Sequence, residues 1–184
     1  GLITACKYNH LLALIERIID APDTVLLVFF SCVSAVFFFI GIRKSRKNPH
    51  HKFGNEALLL FGVLFAAMAI AFLGRILDTG SGHFSWLLLL AAALYGIIGV
   101  IGRSGLVWVC ALLALGGWYG AETGYVSGWG AYYFGMNYPV RFFLFGAVLT
   151  GIGLSLKKSQ KTMFLHKPTY TVGLLYLFIS LWIM

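Results

Sequence analysis

Six long apolar stretches constrain this chain more than any other feature. They occupy residues 24–42, 57–74, 86–102, 106–125, 140–156 and 169–184, and short polar segments separate them. Stretches of this length approach the roughly 30 Å hydrocarbon layer of a bilayer when wound into helix at about 1.5 Å per residue. Only a helix or a closed barrel satisfies every backbone hydrogen bond inside lipid. Continuous apolar runs, with no alternation of apolar and polar positions, select the helix. The composition agrees. Hydrophobic residues make up 60% of the chain and charged residues 11%, against about 45–50% and about 25% in soluble domains. The expected fold class is an all-α, multi-pass transmembrane helical bundle of about six spans, residues 24–184 forming one membrane domain.

Residues 1–23 read differently. Ile3, Leu11, Leu14, Ile15, Ile18 and Ile19 recur at mostly helical spacing, opposite Lys7, Asn9, His10, Glu16, Arg17 and Asp20. That pattern predicts an N-terminal amphipathic helix lying on the membrane surface. It lacks the charged start and unbroken apolar core of a signal peptide. Pro22 ends it before the first span.

The formal net charge is +8, with 14 Lys and Arg. A nucleic-acid protein would gather that charge on one face of a soluble fold. Here it falls in connecting segments: five basic residues between Arg43 and Lys52, Arg103 in the third turn, and four between Lys157 and Lys167. With six alternating spans these three segments share one side, which the positive-inside rule makes cytoplasmic. The N-terminal segment then lies outside. Arg43, Lys44, Arg46, Lys47, Lys52, Lys157, Lys158 and Lys161 are expected to contact anionic lipid, with His50 and His51 facing headgroups.

The stretch GGWYGAETGYVSGWGAYYFGMNYPVR, residues 116–141, concentrates glycine and aromatic residues. Gly116, Gly120, Gly124 and Gly128 fall at a spacing of four, which lets a neighbouring backbone approach a helix closely. Three uses stay open: packing within the chain, packing against another subunit, or a broken helix lining a substrate site. Within the chain, the partners would be Gly146, Thr150 and Gly153, or Gly62 and Ala66.

Glu122, the one acidic residue in the second half of the chain, lies in this stretch near the outer interface. It reads as a solvated carboxylate or as an acid in an ion or proton path, paired with Arg141 or Arg75. Arg75, Asp78 and His83 in the second outer segment extend this to a candidate polar or ion site. An acid and a His there could also do acid–base work on a lipid headgroup. No nucleophile elbow, zinc-protease or phosphate-loop motif accompanies them, so no catalytic residue is assigned. All five histidines fall outside the spans, which argues against an intramembrane haem. Cys6, Cys32 and Cys110 have no metal-ligand spacing. No metal and no cofactor are expected.

The run Asn55-Glu56-Ala57-Leu58-Leu59-Leu60-Phe61-Gly62 and the Gly-Trp-Tyr-Gly of Gly117–Gly120 resemble uncharacterised bacterial multi-pass membrane proteins, the domain of unknown function 2157 family. The resemblance covers about residues 55–155. It implies a bacterial inner-membrane protein and transfers no catalytic residue. The basic segment after the first span departs from that family's pattern.

The leading expectation is a non-enzymatic structural or assembly subunit of a membrane complex, acting through glycine-rich packing. Its partners would be the bilayer, other membrane subunits or a second copy of itself, and not nucleic acid. The alternatives are a small transporter or channel using Glu122 and a lipid-modifying membrane enzyme.

Overall fold

The computed structural model describes residues 22–47, 51–77, 83–130, 132–158, 160 and 162–184. The expected surface helix, apart from Pro22 and Asp23, lies outside them, as do Asp78 and Lys161. Six helices run through the described residues: α1 (Asp23–Lys47), α2 (Lys52–Leu77), α3 (Ser85–Ile101), α4 (Gly105–Val126), α5 (Tyr138–Leu156) and α6 (Met163–Ile183). A two-residue antiparallel ladder, β1 (Tyr132–Tyr133) with β2 (Met136–Asn137), precedes α5. The chain is all-α in class.

Local chemistry sets the helix ends. Asp23 opens α1, and Lys44, Arg46 and Lys47 close it, each sign complementing the helix dipole. Ser104 caps α4 by accepting from Val107 N, and Asn137 caps α5 by accepting from Val140 N, with Pro139 just inside the start. The helices outrun the apolar stretches. The cationic run Arg43–Lys47 is helical rather than looped, and Arg75 belongs to α2. α6 begins at Met163 and carries Pro168 inside it, several residues before the apolar stretch at 169. Helical hydrogen bonding continues wherever water can solvate the polar side chains, so helix and apolar run need not share boundaries.

α1, α2, α4 and α5 are long and apolar enough to cross a membrane; α3 is apolar but 17 residues long. α6 spans 21 residues, and its early turns hold His166, Lys167 and Pro168. The surface fits a lipid solvent. Phe39, Phe178 and Trp182 are 65%, 65% and 87% exposed, while Ser34, Thr169 and Ser180 are buried. The buried hydroxyls are satisfied internally. Ser34 Oγ donates to Gly62 O at 2.9 Å, and Thr169 Oγ1 donates to Leu165 O at 2.7 Å and accepts from Trp108 Nε1 at 2.8 Å. Unsatisfied, each would be costly away from water.

The helices pack chiefly as three sequential hairpins, α1–α2, α3–α4 and α5–α6. One apolar cluster joins the first two through Phe38, Leu59, Val63, Tyr95, Val107 and Ala111. A second joins α4 to the last hairpin through Leu112, Leu149 and Val172. α4 contributes to both and is the central helix. Three of the helix connections, with Arg46, Lys52, Arg103 and Phe164, meet at one end of the bundle. Glu122 and the β1–β2 ladder follow from the far end of α4.

Candidate functional site at the aromatic end of the bundle

The glycine series on α4 meets aromatic rings. A Cβ at Gly116 would collide with the Tyr176 hydroxyl of α6, and one at Gly120 would lie 2.7 Å from the Phe142 ring of α5. A Cβ at Gly124 would lie 2.8 Å from Tyr138 Oη and 3.2 Å from the Trp129 ring. Close backbone approach, expected of this series, occurs elsewhere. Cβ atoms at Gly146, Gly153 and Gly173 would lie 2.7 Å from Leu177 N, 2.8 Å from Tyr170 N and 2.7 Å from Thr150 N. These contacts hold α5 against α6. Gly62 lies under the Phe38 ring of α1 instead of facing α4.

Gly128 has a different task. It sits past the end of α4 with φ 62°, and a methyl group there would meet nothing within 4 Å. Gly128 N donates to Tyr125 O at 2.9 Å and Trp129 N to Gly124 O at 2.7 Å, so the left-handed glycine stops the helix and satisfies its last carbonyls. The chain then turns through β1, Phe134, Gly135 and β2. Phe134 and Gly135 have φ 50° and 73°, the double positive φ of a type I′ hairpin turn. Glycine or asparagine suits that first position; a bulky side chain there is strained.

Arg141, at the first turns of α5, fastens this hairpin. Its side chain is fully buried. Nε donates to Met136 O at 3.1 Å and Nη1 to Thr123 O at 3.4 Å. The guanidinium lies 4.5 Å from the Tyr138 ring centroid and 5.3 Å from that of Tyr133. Ring faces and carbonyl dipoles offset the loss of hydration of a buried cation. The result ties the end of α4, the hairpin and α5 into one cap.

Glu122 does not reach either expected arginine. His83 Nε2 donates to Glu122 Oε2 at 2.9 Å. Ser85 Oγ donates to the same oxygen. The His83 ring also stacks on Tyr125 at 3.9 Å, 6° from parallel. Both side chains of the His–Glu pair are about one-third exposed, at 38% and 32%. A cavity of about 120 Å³ lies beside them, with Phe84, Leu88 and Trp129 on its wall. Arg75 pairs instead with Asp23 at 3.4 Å and lies over Phe72. The expected polar cluster is therefore divided: His83 and Glu122 meet, Arg75 closes the first hairpin, Arg141 anchors the cap, and Asp78 is outside the described residues.

The arrangement differs from a catalytic relay. In a serine–histidine–acid relay the imidazole stands between hydroxyl and carboxylate. Here the carboxylate stands in the middle and takes a hydrogen bond from each. Both hydrogen bonds fall on Glu122 Oε2. Among the described residues no group of three or more His, Cys, Asp or Glu is placed to hold a metal ion.

Sequence reasoning missed Ser85, Tyr125, Tyr133 and Tyr138. Ser85 and His83 precede Glu122 by 37 and 39 positions, and no spacing rule links them. The rings around Arg141 sit within eight residues of it; an arginine among tyrosines was the signal that could have found them. No family model, curated protein or solved structure matches this chain.

Proposed function

We propose that this chain is a membrane-embedded assembly subunit that holds another membrane protein chain through its aromatic cap. The carrying observation is Phe134. It is 84% exposed at the tip of the hairpin, in a left-handed conformation that disfavours it. Strain retained at an exposed aromatic side chain argues for a role of the ring itself. Trp129 and Tyr132, each 67% exposed, flank it, and aromatic residues are enriched where protein surfaces meet. Arg141 holds the presenting turn rigid, which lowers the ordering cost of contact.

In this reading the Arg46, Lys52 and Arg103 end is cytoplasmic and the cap is on the opposite side, because basic connections stay inside. If the resemblance of residues 55–62 and 117–120 to domain of unknown function 2157 proteins holds, the membrane is a bacterial inner membrane. Purification from native membranes in mild detergent tests the proposal. Phe134→Asn relieves the turn and removes the ring. It should keep or raise the unfolding midpoint while losing the co-purifying chain. A lone monomer from wild-type membranes overturns the assembly role, and a partner retained by the variant overturns the part given to Phe134.

The second reading is a small transporter or channel, and the His83–Glu122–Ser85 contact favours it. Glu122→Gln should then abolish cation-dependent flux into reconstituted vesicles. Unchanged flux removes Glu122 from any path.

A further inference from the structure

The opposite end of the bundle holds a larger feature that the assembly role does not use. A cleft of about 830 Å³ opens between the end of α1, the start of α2, the α3–α4 turn and the start of α6. That volume falls within the roughly 300–1,000 Å³ typical of small-molecule sites. Arg46, Lys52 and Arg103 line it with one carboxylate, Glu56. Among the described residues none of the three cations forms an ion pair. A net positive charge therefore faces the cleft.

The cleft has a built floor. Ser104 is fully buried at the N-cap of α4, and Ser45 Oγ donates to Gly102 O at 3.3 Å, fixing α1 to the α3–α4 turn. Arg103 has φ 49°, and its guanidinium lies 5.5 Å from the centroid of the Phe164 ring of α6. A strained arginine backbone sets that side chain at the mouth. Helix dipoles contribute little, since N-termini of α2, α4 and α6 meet C-termini of α1 and α3 here. The selectivity rests on the side chains. Leu59, Val100, Ile101 and Phe164 form an apolar wall.

We propose that this cleft binds a phosphate-bearing anion, with Arg46, Lys52 and Arg103 taking the phosphate oxygens. Guanidinium groups match phosphate geometry through paired N–H donors. The shared chemistry is a phosphate ester, from an anionic phospholipid headgroup or from a soluble metabolite. The apolar wall favours the lipid. A specific site differs from diffuse attraction to the basic face, because it singles out Arg103 over cations such as Lys44. Lys44 lies with Arg43 beside Phe39 and Ile40 in a separate groove.

The test uses the purified full chain in neutral detergent. Three probes are titrated: dioctanoyl phosphatidylglycerol, dioctanoyl phosphatidylcholine and glycerol 3-phosphate. Wild type should take phosphatidylglycerol about tenfold more tightly than phosphatidylcholine, and Arg103→Gln should remove that preference. Arg46→Gln, at an exposed helix end, should weaken it similarly and serves where Arg103→Gln does not fold. Lys44→Gln should change affinity by less than about twofold, because its exposed charge lines a different groove and an exposed charge pair contributes little. Binding of phosphatidylglycerol alone identifies the lipid as the source. Binding of glycerol 3-phosphate as well identifies a soluble ester. No preference in wild type, or equal losses from Lys44→Gln and Arg103→Gln, overturns the site.

Discussion

Two sets of glycines pack this protein, and they do opposite things. On α4, Gly116, Gly120 and Gly124 stand at regular spacing, and each accepts an aromatic side chain from elsewhere in the fold. On α5 and α6, Gly146, Gly153 and Gly173 are less conspicuous in sequence, and each lies against main-chain atoms of the facing helix. A ring on a rotatable side chain can swing aside. A backbone nitrogen in a helix cannot. Glycine spacing thus shows that something approaches a helix, while the neighbour decides how costly an added methyl group would be.

The contrast can be broken most forcefully at the α5–α6 contact. Gly146→Ala should destabilise the protein by about 1–3 kcal/mol, the range for overpacking a tight interior, read as a lower unfolding midpoint in detergent. If it is neutral, α5 and α6 are not held by backbone proximity. Gly116→Ala should cost less, about 1 kcal/mol, and part of the loss should be recovered in Gly116→Ala with Tyr176→Phe, which removes the hydroxyl but leaves ring carbon Cζ 2.5 Å from the added methyl. That recovery is a coupling of the size double-mutant cycles resolve between contacting residues. Purely additive costs would mean the Tyr176 hydroxyl is not the obstacle. Smallest of all, Gly151→Ala on α5 meets nothing within 4 Å. It should be neutral or stabilising by less than about 1 kcal/mol, since alanine is the better helix former.

The legible and illegible parts of this fold divide along a physical line. The positions of the six helices follow from apolar runs and from capping residues such as Ser104 and Asn137. Which face of each helix turns inward does not. Phe38 is 7% exposed and its neighbour Phe39 is 65% exposed. In water such a pair would break the amphipathic pattern. In lipid both surroundings are apolar, so residue type carries no record of direction. The polar site was half legible for the same reason. A charge in an apolar run marks itself, hence Glu122 and Arg141 stood out. Their partners are ordinary residues, and only folding brings Ser85 and His83 to the carboxylate and Tyr133 and Tyr138 to the guanidinium.

The amino-acid sequence determined an all-α chain of long apolar helices with most of its cations at or near the helix ends, because lipid penalises exposed backbone and charge wherever they occur. Gly128 reads as helix packing in the sequence; the structure instead makes it the left-handed residue just past α4, followed by Trp129 at φ 59°. Tertiary structure decided the rest: that Glu122 answers to His83 and Ser85, that Arg141 fastens a hairpin, and that Arg103 joins Arg46 and Lys52 around one cleft. These depend on which helices become neighbours. That choice is made by the fit of rings, glycines and methyl groups in three dimensions, for which the linear order of residues has no simple period.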